Sequence, residues 1–241
     1  MEKNKIKKNI IFSLILITSL AYSASPFKVG ETLNYQAYFS RIKAAKGILK
    51  VLNIEKINDI EAYHVQFKAQ TEGITDRLFP INDVIDLWLS KEGLIPLRIK
   101  SNIKEGNYKK KEDLLFYQSK EYAISGNKKI KIKPITHSPY SLFYYFRGQD
   151  IAKLKEREIN IIQGQKVEKL QLKLEHNIQV NVPAGSFMCT KVEPLRNENK
   201  KFKNEGNIQI YFSEDKNKYP VKIKLKLKYG SLVLKLERII S

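Results

Sequence analysis

The sequence predicts a mainly β protein: a curved antiparallel sheet forming an open or partly closed β-barrel, with one short aromatic-rich helix. Three observations predict it. Apolar and polar residues alternate at period two along most of the chain, the rhythm of strands with one buried face. Turn signals such as Asn58-Asp59 and Pro183-Ala184-Gly185 punctuate that rhythm. One segment, Ser138 to Arg147, departs from it with closely spaced aromatics. A sheet with one apolar face needs a second sheet, a helix or a ligand over it, and so many strands suggest closure around a core.

The elements follow in order. Lys3, Lys5, Lys7 and Lys8 form a basic start, Ile10 to Leu20 an apolar run, and Ala21-Tyr22-Ser23 a small-residue site. That order predicts a cleaved secretory signal peptide, residues 1–23. The run of 11 residues is well short of the roughly 20 that a spanning helix needs. A cut after Ala24 would put bulky Tyr22 at the −3 position, so Ser23 is preferred. No cysteine lies near the cut, which argues against a lipid anchor. Residues 24–241 are then expected to form a single β domain, located in the periplasm.

Leu33, Tyr35, Ala37 and Phe39 alternate with polar neighbours, Ile48 to Ile54 continues as a second strand, and Tyr63 to Ala69 follows the Asn58-Asp59 turn. Thr71 to Asn82 breaks the pattern and reads as a loop or short helical turn. Val84 to Ser90, Leu94 to Ile103, Asn107 to Phe116, Glu121 to Ile124 and Ile130 to Lys133 are further strand candidates. Ser138 suits a helix cap and Pro139 a first helical position, so Ser138 to Arg147 is expected to be a buried helix on or plugging the sheet. Strands resume near Arg157. The clearest hairpin is the last: Ile223, Leu225, Leu227 and Tyr229 alternate with Lys222, Lys224, Lys226 and Lys228, a turn is expected at Gly230-Ser231, and Leu232 to Ile240 returns.

Composition bounds the chemistry. The chain carries 44 Lys and Arg against 25 Asp and Glu, a net charge of +19. Residues 1–23 hold four lysines and one glutamate, so the remainder keeps +16. Such a surface attracts polyanions, among them an anionic envelope polymer or membrane surface. The abundance of Lys, Ile and Asn also fits a genome biased toward A and T. The 42% hydrophobic content can support a core for a domain that buries roughly 70% of its unfolded surface. Cys189 is the sole cysteine, which excludes an intramolecular disulfide and reads as a small buried hydrophobe in a strand.

Metal binding needs converging His, Cys or carboxylate ligands. His64, His137 and His176 are far apart and are expected at solvated or sheet-face positions. Ser186, after Gly185, lacks the flanking glycines of a nucleophile elbow and reads as a turn serine. Asp83 and Asp86 flank Trp88, with Asp76 and Arg77 before them. Two acids beside a Trp resemble a glycosidase pair, but alternation puts Asp86 and Trp88 on one face and Asp83 on the other. Structural pairing with Arg77 or Arg98 is expected instead. The lysine ladder at 222–228 carries no interleaved Arg or aromatics, so no nucleic-acid partner is expected.

Several stretches together resemble an exported family catalogued as domain of unknown function 3108. They are Phe27 to Tyr35, Ala44-Ala45-Lys46-Gly47, Asp83 to Trp88, the Ser138 to Arg147 aromatic segment, Val182 to Phe187 with Val192-Glu193-Pro194, and Tyr211 to Asp215 through Pro220-Val221 to Gly230-Ser231. The order and spacing carry the resemblance. The family usually has Asp where Ser138 stands and Gly where Ala45 stands, departures compatible with capping and close packing. The resemblance implies a secreted or periplasmic β protein, distantly similar to the open β-barrels that carry lipoproteins across the periplasm, and implies no activity.

No catalytic residue, metal or cofactor is called for. The first functional reading is a monomeric, non-catalytic periplasmic protein holding a lipid or lipoprotein acyl chain in an open barrel, with Trp88, Tyr140, Phe143 and Tyr144 as ligand-binding candidates. The second is a scaffolding or accessory partner of an envelope complex with a solid core. The third is a hydrolase of envelope polymers using Asp76, Asp83 or Asp86. Whether the sheet's interior is hollow or filled discriminates the first from the second.

Overall fold

Where apolar residues alternate with polar ones, the computed structural model forms strands. It describes residues 25–154, 158–196, 208–227 and 230–241; the expected signal peptide lies outside them. The first half of the chain is a meander: β1 (Thr32–Phe39), β2 (Ile42–Ile57), β3 (Ile60–Thr71), β4 (Asn82–Ser90), β5 (Pro96–Glu105), β6 (Tyr108–Tyr117), β7 (Tyr122–Ser125) and β8 (Lys128–Lys131). A two-residue strand, β9 (Thr136–His137), precedes the aromatic segment. The second meander comprises β10 (Glu158–Gln163), β11 (Lys166–Val182), β12 (Gly185–Arg196), β13 (Ile208–Ser213), β14 (Pro220–Leu227) and β15 (Gly230–Ile240).

All fifteen strands belong to one curved sheet, ordered β8-β7-β6-β5-β4-β3-β2-β1-β15-β14-β13-β12-β11-β10-β9. The β1–β15 ladder, from Thr32↔Ile240 to Phe39↔Leu232, joins the two meanders. The sheet's edges, β8 and β9, are separated by only residues 132–135 in the chain. Their sides approach where Lys128 Nζ donates to Gln165 Oε1 at 3.3 Å. The barrel is therefore curled but open, as predicted, and three lysines on β8 guard that edge against further pairing.

Turn chemistry sets the registers. Asn58 and Asp59 take positive φ of 49° and 64°, the two-residue geometry that matches strand twist, and Ile57 pairs with Ile60 across them. Ser40 and Arg41 do the same between β1 and β2 without a glycine. The final hairpin closes between Leu227 and Gly230, earlier than the expected Gly230-Ser231 turn, and Lys228 and Tyr229 lie outside the described residues. Gly230 is already paired with Leu227, so it begins the returning strand.

The aromatic segment is a shorter helix than predicted. α1 (Gly73–Leu78) occupies the break between β3 and β4, and α2 (Leu142–Tyr145) continues as a 3-10 turn over Phe146–Gly148. Ser138 does not cap it. The Ser138 and Ser141 hydroxyls each accept the other's backbone N–H, at 3.1 and 2.9 Å. This clasp makes a tight turn around Pro139 and delays the helix start to the residue after Ser141.

Inward side chains from both meanders and from α2 form one continuous buried cluster, including Leu33, Tyr35, Val65, Leu87, Phe116, Phe146, Ile161, Leu172, Phe212 and Leu236. Packing is close even at the smallest residue. A Cβ at Gly47 would lie 3.4 Å from Leu234 and 3.5 Å from the Tyr35 Cβ. Cys189 is buried as expected, beside Val180 and Val221, and burial raises its thiol to about 12, with Glu214 and Asp215 adding to the effect. That environment makes it inert.

Candidate functional site

Two polar clusters and one apolar end stand out, and sequence reasoning anticipated only parts of them. The first cluster closes one end of the barrel, where α2 meets the segment before β1. Arg147 is 1% exposed and Glu31 3%. The guanidinium Nη1 donates to Glu31 Oε1 at 2.6 Å and Nη2 to Oε2 at 2.9 Å. Nη2 also donates to the Pro26 carbonyl, and Nε to the Asn217 carbonyl at 3.0 Å. Four of its five N–H donors are thus used, the condition under which a buried charge is tolerable. Phe27, Tyr144 and Tyr219 face the guanidinium at 5.0, 5.6 and 5.3 Å from their ring centres. Burial alone would lower the Arg147 pKa, but the Glu31 carboxylate outweighs it and holds it up.

The surrounding phenols stay neutral. Burial pushes Tyr35 and Tyr144 well up, the Arg147 charge opposing it. Tyr35 donates to the Pro220 carbonyl at 2.8 Å, whereas the Tyr144 hydroxyl has no partner. His137 packs against the Tyr145 ring with centroids 4.2 Å apart. It is 1% exposed and both ring nitrogens lack partners, so burial lowers its pKa to about 4. The expected solvated or sheet-face setting therefore fails for His137, because α2 folds over its strand. It holds for exposed His176, whose Nδ1 lies 3.0 Å from Thr190 Oγ1.

The second cluster lies on the outer face of β2, β3 and β4. His64 stands between Glu55 and Asp86, with Nδ1 2.9 Å from Glu55 Oε1 and Nε2 2.9 Å from Asp86 Oδ1. Its ring stacks on Trp88 at 4.4 Å and 16°, and Trp88 Nε1 donates to Glu55 Oε2 at 3.0 Å. That bond, with His64, holds the Glu55 carboxyl below its usual range against some desolvation. Gln66 Nε2 donates to Asp86 at 2.8 Å. No hydroxyl or thiol takes part in these bonds, and Trp88 covers one face of the imidazole while the Arg98 guanidinium lies over Trp88 at 5.6 Å. The arrangement fastens three strands, with the carboxylates of Glu55 and Asp86 engaged by His64, Trp88 and Gln66.

Asp86 and Trp88 share the outer face and Asp83 points inward, as alternation requires. The expected arginine partners are wrong in detail. Asp86 takes His64, while Arg98 forms a two-pronged pair with Asp113, diagonally across on β6, at 2.9 and 2.6 Å, and on β4 it faces Trp88 rather than an acid. Asp83 accepts the Lys104 N–H at 2.8 Å and pairs with Glu105, and desolvation raises both carboxyls. Asp76 accepts from Thr71 Oγ1 at 2.7 Å. Ser186 is not in the expected turn, which is Pro183-Ala184; it lies on β12 opposite Asn181 of β11, and its hydroxyl donates to Asn181 Oδ1 at 2.8 Å. Of the ligand-binding candidates, Tyr144 is buried in the plug, Tyr140 and Phe143 pack on the same core, and Trp88 lies across the sheet from them. The fold does not bring all four together. A shallow open groove of about 590 Å³, lined by Asp86, Lys100, Lys111 and Asp113 among others, runs along the outer face. Among the described residues no His, Cys, Asp and Glu group is arranged to hold a metal, and no helix is long and apolar enough to cross a membrane.

A curled, unclosed sheet wrapped around one buried apolar cluster, with a plugged end, defines the class of β-barrel-like proteins. Structural comparison agrees. The chain is similar to a beta-barrel-like protein of domain of unknown function DUF1849 from Brucella abortus, at 10% identity and a TM-score of 0.56 over 88% of this chain and 97% of that one. It also matches a protein of YmcC-like fold inferred to be exported, from Bacteroides fragilis (13%, 0.39, 90% and 98%). A third match is a protein inferred to be a lipoprotein, from Parabacteroides distasonis (11%, 0.40, 88% and 96%). No curated protein matches the sequence. Residues 34–237 match the family described as protein of unknown function (DUF3108), and the chain belongs to it.

Proposed function

We propose that this chain is a non-catalytic accessory protein of the bacterial cell envelope, exported by its signal peptide, that works through its outer surface as a partner of an envelope complex. The apolar cluster packed between the sheet and α2 carries this reading. A carrier of lipid or acyl chains needs a pocket of roughly 300–1,000 Å³ lined by apolar groups. Here the inward positions toward the plug end are buried against one another and against α2, and Phe67, Ile103, Leu225 and Leu232, nearer the α1 end, are partly buried against the same cluster. The acids Asp76, Asp83 and Asp86 each have a separate structural partner, which favours a surface role over hydrolysis. The protein acts as a monomer within that complex and does not engage nucleic acid.

Native mass spectrometry after gentle purification from envelopes tests the choice. A single mass of the bare chain, with a defined protein neighbour recovered by cross-linking in intact cells, is the expected result. A stoichiometric lipid adduct would restore the carrier reading. Asp83→Asn or Asp86→Asn variants that abolish an envelope-polymer cleavage would restore the hydrolase.

A further inference from the structure

The barrel end opposite the plug leaves large apolar side chains in water. α1 has no buried residue; Ile74 is 75% exposed, Leu78 80% and the following Phe79 51%. Phe39 and Ile42, either side of the β1–β2 turn, and Tyr108, after the β5–β6 turn, are exposed at the same end. The connection itself is longer than its task requires. β3 and β4 are adjacent antiparallel strands, and neighbouring hairpins close with two residues, yet residues 72–81 make a ten-residue excursion here. Polar contacts hold it in place: Thr71 Oγ1 bonds Asp76 and accepts the Ile81 N–H, and Lys46 pairs with Glu72 at 2.7 Å. The backbone is anchored by its polar groups while the aliphatic side chains face out.

Charge surrounds this apolar tip. Arg41, Lys43, Arg77 and Lys109 are exposed at the same end. None of the four has an ion-pair partner among the described residues, whereas the nearby acids Glu72 and Asp76 are engaged. Protruding aliphatic groups ringed by cations suit a soft surface with an apolar interior and anionic headgroups. A protein interface would more often be depleted of lysine.

We propose that this end docks on a lipid bilayer bearing anionic headgroups, with Ile74, Leu78 and Phe79 entering the headgroup–acyl boundary and Arg41, Lys43, Arg77 and Lys109 at headgroup level. This names the surface and partner of the accessory role above, and rests on that role only for where the membrane is met. Protein beginning at Ala24, which keeps every described strand and helix, is mixed with vesicles of phosphatidylcholine alone or with phosphatidylglycerol. Binding is expected to the mixed vesicles, weakening with salt. Ile74→Ser, Leu78→Ser and Phe79→Ser together should lower the partition coefficient at least tenfold. Lys43→Gln with Arg77→Gln should lower it roughly thirtyfold at low salt. Lys56→Gln with Lys216→Gln, at the plug end, should change it less than twofold.

A dye on Leu78→Cys, selective because Cys189 is buried, should shift to the blue on the anionic vesicles, and one on Lys216→Cys should not. Equal losses for the two charge pairs would reduce the effect to general adsorption of a basic protein and overturn the proposal. So would undiminished binding of the serine variant, or a soluble protein partner covering α1 with no vesicle binding. Vesicle failure beside an intact envelope complex would remove the membrane surface alone; vesicle binding without any complex would remove the accessory role alone.

Discussion

At the plug end, the protein buries an ion pair, two tyrosines and a histidine; at the α1 end, it exposes an isoleucine, a leucine and a phenylalanine. Both ends are built from connections of the same sheet, so the difference lies in what each connection was given to satisfy. Arg147 is tolerated inside because Glu31, Pro26 and Asn217 supply acceptors in the right directions. Ile74 and Leu78 are tolerated outside because α1 is tied down through Thr71, Asp76 and Glu72. The plug end is therefore where stability resides, and the α1 end is where surface chemistry can change without loss of fold.

Substitutions should widen that contrast. Glu31→Ala strands the buried guanidinium and should cost about 3–5 kcal/mol in urea unfolding, whereas Glu31→Leu with Arg147→Met should recover most of that loss. A cost under about 1 kcal/mol for Glu31→Ala would mean the plug opens readily, and the contrast would fail. His137 gives a pH signature. Its folded pKa of about 4 lies below the usual 6.5, so the unfolded chain binds the proton first. Its contribution is complete above about pH 6.5 and declines as pH falls toward 4, by roughly 3 kcal/mol in total. His137→Phe should flatten that part of the stability–pH curve, and an unchanged curve would place the acid sensitivity elsewhere.

Between the ends, Trp88→Phe removes the indole N–H bond to Glu55 on the outer face and should cost about 1 kcal/mol by thermal melting. Smallest of all, Ile74→Ser and Leu78→Ser should each leave stability within about 0.5 kcal/mol of the parent. A larger loss would show that α1 carries core weight that its exposure denies.

Much of the fold is legible in the sequence because alternation is local. The strands from Leu33 to Phe39, Val84 to Ser90 and Lys222 to Lys226 need only their own residues to declare a buried face, and the opposite facing of Asp83 and Asp86 follows from counting. Legibility ends where partners are distant. Glu31 and Arg147 are 116 residues apart, and nothing between them announces the pair; the available signal was a charged residue closing an aromatic run. His137 lies in a two-residue strand, too short for alternation to assign a face, and its burial is decided by α2 folding over it. The His64 clasp was half visible: the outer face could be assigned, but neither Glu55 nor the stacking on Trp88 follows from spacing along one strand. Exposure of α1 was out of reach too, since an apolar residue in a break in the pattern reads equally as core or surface.

The order of the strands has a consequence for assembly. Each meander zips up from neighbours close in sequence, while the β1–β15 ladder that unites them must bring together residues some two hundred positions apart, Thr32 with Ile240. Loop closure over that span makes this the slow step, so two half-sheets form early and marry late. The start of β1 and the end of β15 consequently lie side by side mid-sheet. A circular permutant joining them and reopening the chain at 132–135 converts the late marriage into a local hairpin and should reach the native state faster than the natural order does.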